Sequence, residues 1–457
     1  MEMIKRSLRD SATARWTALI LISIMMFASY CFYDIFAAIK PNLQAQTGMS
    51  NADYGKIVGA YSFTNVFLVM AFMGGMILDR WGVRKTGSVF ITFLFIGTFL
   101  TAYGATENFA EGGFGYKFFS SFLTNYSPEL KMMILGRLLF GLGAETFYVV
   151  VDKVVAKWFK GKELALAFAI SIGFGRFGTM MALILSTRMV PEVGAGPIDP
   201  AMWFGIVITL VAVLCFLGYL IYDIKLDRSM SESDDEEEEK FNFAEFIGQF
   251  KNRSFIYITL LCILFYAAVF PFIAFAPDLL QNKFGMDPKV SGDWVTILPL
   301  GTIIFTPIFG WWCDNRGKSA TLMIIGSFLL IIAHLAFSLT SISPMIPLFL
   351  LGIAFALVPA AMWPSVARII PEHLLGTAYG FMFTVQNFGL MGVPILMGYT
   401  LDINNRGVAE GDPLDYTYTI LLLSILGMLG IVFALLLKKE DRTSGHGLEL
   451  PNKSQEA

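Results

Sequence analysis

Four ionisable side chains lie inside long apolar segments of this 457-residue chain: Asp34, Arg137, Glu145 and Arg176. A charged group is costly in hydrocarbon, so such residues usually mark the path of a ligand or an ion pair within a helical bundle. A carboxylate binds an ammonium group, and a guanidinium holds a carboxylate through two parallel N–H donors. Together these residue types could bind a small molecule that carries both charges.

Glu145 and Arg176 are the pair that best fits such a ligand. They lie on segments that run in opposite directions, each about a dozen residues from the same side, and a helix rises 1.5 Å per residue. We therefore expect both side chains near the middle of the molecule, where they either pair with each other or separate around a zwitterion. The alternative is a permanent buried ion pair that fixes two helices.

The other ionisable residues allow more than one interpretation. Asp34 could accept an amine, carry a proton or face water, and Arg137 is either a packing partner or a ligand contact. Asp34, Arg137 and Glu145 are also the candidates for coupling to protons. His334 is interpreted as a core histidine, because its segment carries no acidic residue near it.

Polar and aromatic residues on the apolar segments are further candidates for the same site. Tyr61 and Asn65 are four residues apart, so they share one face of a helix. Tyr266 precedes Pro271, and a proline in such a segment frees carbonyl groups that suit a cavity wall. The remaining candidates are Trp363, Gln386 and Asn387.

The elements that position these residues are membrane-spanning helices. The chain is 56% hydrophobic and only 15% charged, whereas soluble domains are roughly 25% charged. The 42 Gly fit helices that pack closely in a bilayer, and a net charge of -3 gives no sign of a nucleic-acid partner. Four Cys without CxxC spacing predict neither a disulfide framework nor a metal site.

Apolar segments of the right length occur twelve times along the chain. Each approaches or exceeds the roughly 20 residues that cross a bilayer. Their approximate limits are 16–39, 53–78, 86–104, 132–154, 163–188, 201–222, 254–280, 291–312, 319–341, 345–367, 376–400 and 415–437. Lys and Arg are concentrated on the side of both termini, which predicts that the termini are cytoplasmic. We predict an all-α membrane protein with twelve transmembrane helices.

A run of six acidic residues, Asp234 to Glu239, divides the chain into two halves. Such a run repels itself and is typical of a solvated linker. The predicted parts are an N-terminal six-helix bundle at 1–222, an acidic cytoplasmic linker at 223–253, a C-terminal six-helix bundle at 254–440 and a cytoplasmic tail at 441–457. Two parallel six-helix repeats around a central site form one known transporter architecture.

An internal repeat supports this division. The sequences Gly75-Met-Ile-Leu-Asp79 and Gly310-Trp-Trp-Cys-Asp314 occupy the same place in the two halves, and a basic turn with a glycine follows each. The physical interpretation is a gate, in which Asp79 caps a helix end or pairs with a basic residue while a glycine allows the tight turn. The gating candidates are Asp79, Arg80, Gly82, Arg84, Asp314 and Arg316.

The loop 75–85 and the pattern Arg137-x-x-x-Gly141-x-Gly143 resemble two signatures of the major facilitator superfamily. Within it, roughly residues 20–400 are similar to the family of lysosomal dipeptide transporters. The matching stretches are 136–145, 158–164, 268–273, 283–286, 363–367, 371–382 and 386–390, together with Arg176. The resemblance implies that Glu145 and Arg176 contact a dipeptide and that transport is uniport.

Two features depart from that family. The segment Met1 to Arg15 has no acidic dileucine signal for lysosomal sorting, and an acidic linker is not a family feature. We therefore expect a bacterial relative in the cytoplasmic (inner) membrane. The glycosylated accessory subunit of the animal family is not expected for such a relative.

The expected function is transport of dipeptides or small zwitterions across a lipid bilayer by alternating access, with uniport favoured and proton coupling left open. One alternative is an organic-anion or sugar-phosphate exchanger, in which Arg137 and Arg176 clamp an anion; Glu145 argues against it. Another is a transporter-like sensor that does not translocate its ligand, which the gate loop at Asp79 disfavours. The chain carries no HExxH, GxSxG or nucleotide-binding motif, so no enzyme, pump or cofactor is predicted.

Overall fold

The described part of the protein is a bundle of α-helices. The computed structural model describes residues 8–159, 163–229, 248–371, 374–409 and 411–451; the predicted acidic run lies outside them. The helices are α1 (Ala12–Ala38), α2 (Lys40–Thr47), α3 (Asn51–Phe67), α4 (Met70–Gly104), α5 (Glu107–Ala110), α6 (Tyr116–Ser120), α7 (Pro128–Phe159), α8 (Leu164–Met189), α9 (Asp199–Ser229), α10 (Arg253–Phe284), α11 (Pro288–Val295), α12 (Ile297–Arg316), α13 (Ser319–Leu339), α14 (Met345–Ile369), α15 (Leu375–Asn404) and α16 (Thr417–Ser444).

The predicted all-α membrane fold is confirmed. Within the described ranges, 11 helices are long and apolar enough to cross a membrane. The difference from twelve arises at the second predicted segment, which is divided between α3, 17 residues long, and the start of α4. The break falls at Val69, whose φ of 51° interrupts the helix. A β-branched residue in this region of φ is a strained outlier, which sequence patterns do not predict.

Helix α4 is 35 residues long and changes direction at Gly82. The φ of this residue is 74°, a value that glycine adopts without the steric cost of a Cβ atom. The tight turn that the sequence predicts at Gly82 is therefore present, although the helix continues on both sides of it.

Successive long helices cross the molecule in alternating directions. We call the side on which α1 begins the near side and the side on which α1 ends the far side. Helices α1 to α9 form the N-terminal half, and α10 to α16 form the C-terminal half. Close packing within a half depends on glycine: a Cβ on Gly97 of α4 would lie 2.2 Å from the backbone nitrogen of Phe140 on α7.

Two predicted boundaries need correction. The linker does not begin at 223, because α9 continues to Ser229 and Asp223 is buried in it. This carboxylate accepts hydrogen bonds from Arg84 and Lys157, both at 2.7 Å, so two cations compensate its burial. The predicted tail at 441–457 begins inside α16, which continues to Ser444, and the backbone N–H of buried Leu448 donates to Asp441 at 3.0 Å.

A buried polar cluster joins the two halves on the far side, and we call it the far-side latch. The ammonium of Lys40 is fully buried and donates to Asp278 of α10, to Asn51 at 2.7 Å and to Tyr416 at 3.2 Å. The hydroxyl of Tyr416 also donates to Asp278. Lys40 and Asn51 belong to the N-terminal half, and the other two residues belong to the C-terminal half.

Further contacts close the same side. Arg188 forms a bidentate salt bridge with Asp293, with N···O distances of 2.8 and 2.6 Å. A Cβ on Gly55 of α3 would lie 2.3 Å from the carbonyl oxygen of Pro394 on α15, so these helices touch backbone to backbone. Between described residues, both salt bridges that join the two halves lie on the far side. The protein is therefore held closed at that side.

Candidate functional site

A partly enclosed cavity of about 100 Å³ lies between the two halves. One carboxylate, two side-chain amides and several aromatic rings form its wall. The lining residues are Tyr30, Tyr33, Tyr61, Glu145 and Tyr148 from the N-terminal half and Phe270, Phe383, Gln386, Asn387 and Leu390 from the C-terminal half. Of the predicted binding residues, four line this cavity directly: Tyr61, Glu145, Gln386 and Asn387.

Glu145 supplies the negative charge of the cavity wall. Its Oε1 atom accepts a hydrogen bond from the hydroxyl of Tyr61 at 2.7 Å. The neighbouring Gly141 makes this contact possible, because a Cβ there would lie 1.9 Å from the carbonyl oxygen of Tyr61 and would push α3 away from α7. Within the described part of the chain, no basic group lies within salt-bridge distance of Glu145.

Arg176 supplies a positive charge directly behind the wall. Its guanidinium carbon lies 4.7 Å from the ring centre of Phe355, 5.6 Å from that of Phe270 and 5.7 Å from that of Tyr30. Phe270 and Tyr30 both line the cavity. These ring contacts hold the flat guanidinium by cation–π attraction and leave its N–H edges available.

The expected ion pair between Glu145 and Arg176 is absent. No hydrogen bond or salt bridge connects either of them to an opposite charge among residues 8–159, 163–229 and the other described ranges. The alternative of a permanent ion pair between the two helices therefore does not describe this structure. Two opposite charges instead stand near one cavity without a charged partner.

Tyr266 and Trp363 form a second layer behind the wall. The indole N–H of Trp363 donates to the hydroxyl of Tyr266 at 3.0 Å. The ring of Trp363 stacks on that of Phe383 at a centroid distance of 4.8 Å, and the ring of Tyr266 stacks on Phe270 at 5.8 Å. These two predicted residues therefore position lining residues rather than line the cavity themselves.

Asp34, Asn65 and Arg137 are not part of the cavity wall. Asp34 is buried and accepts a hydrogen bond from the hydroxyl of Thr179 at 2.6 Å. Arg137 is fully buried among aromatic rings and donates to the carbonyl of Tyr33 at 3.1 Å. Asn65 is fully buried, and its amide atoms have no hydrogen-bond partner in the described structure.

The gating candidates of the N-terminal half pair with helices of the same half. Asp79 accepts from Lys153 of α7 at 2.5 Å; the side chain of Asp79 is exposed and that of Lys153 is half-buried. Arg84 reaches Asp223 and Asp227 on α9. Arg80 is exposed on α4, two residues before the change of direction at Gly82, and Asp314 and Arg316 lie at the near end of α12. The near side therefore carries local charge pairs, in contrast to the latch that joins both halves on the far side.

The sequence analysis missed several aromatic lining residues and the latch. Tyr148 lies three residues after Glu145 and hence on the same helix face, a spacing that could have identified it. Asp278 is an acidic residue inside the predicted segment 254–280, so the rule that singled out Asp34 also applies to it. Phe270 and Phe383 carry no sequence signal that separates them from lipid-facing rings.

Two helical halves that enclose a polar cavity between them define a multi-pass membrane transporter. The family model of the Major Facilitator Superfamily matches residues 22–277 and 260–454. The chain therefore belongs to the Major Facilitator Superfamily.

Two animal transporters are similar to most of this chain, and a bacterial transporter is similar to about a third of it. The chain is 28% identical over 396 residues to "Lysosomal dipeptide transporter MFSD1" of Bos taurus, which covers 85% of this chain and 80% of the relative. The protein of the same name from Homo sapiens is 27% identical with the same coverage. An uncharacterised transporter of this superfamily from Bacillus subtilis, YwoD, is 26% identical over 156 residues, 32% of this chain and 33% of that protein.

Solved structures show the same fold at low sequence identity. The nucleoside transporter NupG matches with a TM-score of 0.68 and 13% identity, covering 92% of this chain and 99% of that one. A bacterial homolog of the human lysosomal transporter Spinster, in an inward-facing and unoccupied conformation, has a TM-score of 0.70 and 14% identity over 94% and 98% of the two chains.

Proposed function

We propose that this transporter moves dipeptides, or zwitterions of similar size, across the membrane by alternating access. One observation carries the proposal: Glu145 and Arg176 stand near the same cavity and neither has a charged partner among the described residues. An unpaired charge away from water is unfavourable, so a ligand that brings both opposite charges gains from each. A dipeptide does so, with its ammonium at Glu145 and its carboxylate at Arg176.

The relatives support the same substrate class. The names of the animal relatives describe dipeptide transporters, and the sequence resemblance includes the stretch around Glu145 and the residue Arg176. The aromatic and amide residues of the C-terminal half would face the peptide's side chains. Such a wall suits apolar and polar side chains alike, because it offers rings and amides but no further charge.

The far-side latch supports alternating access as the mechanism. A carrier of this kind exposes one central site to the two sides in turn, so one side must be closed while the other opens. Here the far side is held closed by buried contacts between the halves. From the loop distribution of Lys and Arg we propose that the near side is cytoplasmic, as in the inner membrane of a bacterium.

Uniport is the simplest form of the mechanism, because substrate binding and the change of access suffice for it. A proton-coupled form would assign the proton to Glu145 or Asp34. The two forms differ in one measurable response: only the coupled form accumulates dipeptide against its gradient when a pH gradient is imposed on liposomes.

The organic-anion exchanger is the less favoured alternative. It needs two cations that act together on one anion. Arg137 is a poor second cation, since its guanidinium is fully buried among rings and donates to the carbonyl of Tyr33, whereas Arg176 is only half-buried. A sensor that binds without translocation would share the binding site, so only a flux measurement separates it from a transporter.

Ligand-induced thermal stabilisation tests the binding site. The purified protein is heated with dipeptides, single amino acids, tripeptides and sugar phosphates. A ligand present at a hundredfold excess over its Kd stabilises the folded state by about 2.7 kcal/mol, enough for a rise in Tm of several degrees. We expect this rise with dipeptides, and we expect Arg176→Ala and Glu145→Gln each to abolish it.

Matched controls are available outside the cavity. Arg406→Ala and Glu192→Gln remove the same charges at exposed positions and should keep the full rise in Tm. A rise with organic anions alone that survives Glu145→Gln would sink the dipeptide proposal and favour the exchanger. Dipeptide binding without uptake into liposomes would favour the sensor.

A further inference from the structure

The connection between α4 and α7 exposes an unusual amount of aromatic surface on the far side. We call residues 105–127 the aromatic loop; it contains α5 and α6. Phe114 is 91% exposed, Phe118 is 66% exposed and Leu123 is 63% exposed. Large apolar side chains that cluster on a surface mark a contact with a partner or a membrane.

The aromatic loop is folded upon itself rather than loosely connected. Phe109 and Phe119 are buried and pack with Met132 of α7 in a small core of their own. The ammonium of Lys131 donates to the carbonyl of Phe122 at 2.7 Å and fixes the end of the loop. The exposed rings therefore stand on a preformed support, and no partner is needed to fold it.

The exposed rings follow one another closely in the chain and form the apolar face of the loop, and acidic residues lie elsewhere on it. Phe118 lies in α6, its ring centre lies 5.4 Å from that of Phe122, and Phe114 precedes α6. The exposed acidic residues Glu107 and Glu111 precede them in α5 and directly after it. The loop thus has an apolar part and an acidic part, as a segment at a boundary between water and hydrocarbon requires.

A continuous series of ring contacts connects this apolar face to the outer surface of α4. Phe99 of α4 is 39% exposed within a predicted membrane segment, so it faces lipid. Its ring stacks on Tyr103 at a centroid distance of 5.8 Å, and Tyr103 contacts Phe109 at 5.4 Å. The ring centre of Phe119 lies 6.3 Å from that of Phe109 and 5.4 Å from that of Phe118. The buried core of the aromatic loop therefore rests against the lipid-facing side of α4, next to the exposed rings.

We propose that the aromatic loop is a membrane anchor, with the face of Phe114, Phe118 and Phe122 inserted at the boundary between headgroups and acyl chains of the far leaflet. Aromatic side chains favour this depth, where the ring is shielded and polar groups remain wet. Lys117, exposed between the rings, reaches the headgroups with its ammonium while its methylene chain lies along the apolar face. The anchor fixes the α4–α7 connection while the helices move.

A fluorescent probe at Phe118 tests this depth in the full chain. The variant Phe118→Cys is labelled with an environment-sensitive fluorophore and placed in nanodiscs of phosphatidylcholine. The native thiols do not interfere, since three are buried and the fourth, Cys215, is replaced by Ala in every sample. The matched control is Glu111→Cys on the acidic part of the loop.

The fluorophore at position 118 should show blue-shifted emission and protection from quenching by aqueous iodide. Lipids with a nitroxide near the headgroup should quench it strongly, and lipids with a nitroxide near the chain end should quench it less. Position 111 should show the reverse. Phe114→Cys repeats the test if Phe118→Cys lowers the Tm. Water-like emission and iodide quenching at 114 and 118 in a bilayer without other proteins would overturn the anchor and leave the surface to a protein partner.

Discussion

Removing the carboxylate of Asp278 should open the far side of the transporter. In the closed arrangement the ammonium of Lys40 is fully buried, and Asp278 is its anionic partner. Asp278→Asn keeps the shape of the side chain but leaves that buried cation without an anion. Breaking a buried ion pair in this way costs about 3–5 kcal/mol. When the halves separate at the far side, water reaches Lys40 and the cost disappears, so the change acts on the closed state alone.

This free-energy cost converts directly into a change in the ratio of closed to open molecules. Because each 1.4 kcal/mol is a factor of ten, the ratio of closed to open molecules should fall roughly 100- to 4,000-fold. Spin labels at Glu192 and Val290, which are exposed on the far side in different halves, report the change as a distance distribution. The parent protein should show one short distance, and Asp278→Asn should show a second, longer one.

A double variant separates electrostatics from packing. Lys40→Met with Asp278→Leu removes both charges at similar volume, and such replacements of buried pairs are often neutral or stabilising. It should return the distance distribution to that of the parent. An unchanged distribution in Asp278→Asn, or a double variant as open as the single one, would refute the interpretation of the latch as the element that closes the far side.

Three smaller perturbations follow from other contacts. Gly141→Ala should destabilise the protein by about 1–3 kcal/mol through overpacking and should weaken dipeptide binding. Gly75→Ala should do neither, because nothing lies within 4 Å of its added Cβ. Thermal melts with and without dipeptide measure both effects. Asp79→Asn removes a salt bridge worth about 0–1 kcal/mol, so the Tm should hardly change, whereas uptake into liposomes should fall. Normal uptake would show that Asp79 is not part of the gate. Hydrogen bonds from Thr417, at the start of α16, lower the pKa of Asp415. The contribution of Asp415 to stability is therefore fully present above its pKa in the unfolded chain, and it is lost as the pH falls through its lower pKa in the folded protein. In Asp415→Ala the Tm should lose this part of its dependence on acid pH.

The fold follows from the sequence because hydropathy and length act locally. Each apolar segment must satisfy its own backbone hydrogen bonds in hydrocarbon, which dictates a helix wherever enough apolar residues follow one another. The break at Val69 escapes this logic, since the residues around it, Leu68 and Met70, are as apolar as those of an unbroken helix.

The candidate site is harder to predict from the sequence than the fold, because it depends on which helix faces meet. Glu145 could be identified as a buried charge, and it lines the cavity. Asp34 satisfied the same rule, yet its hydrogen bond to Thr179 keeps it out of the wall. Lys40 lies one residue beyond the predicted segment 16–39, and it is fully buried beside Asp278, which comes from a helix more than 200 positions away in the chain. Burial of a charge can be predicted, whereas its partner requires the tertiary structure.

The distribution of charge between the halves bears on how a carrier with this site would work. Both charged residues, Glu145 and Arg176, belong to the N-terminal half, while the C-terminal half contributes rings and amides such as Phe270 and Gln386. A zwitterion held as proposed would therefore keep its two charge contacts when the halves move relative to each other. Only the contacts to its side chains would change during that motion. Affinity for the peptide backbone would then be similar in both states, which suits a uniporter, and selection among side chains would rest with the C-terminal half.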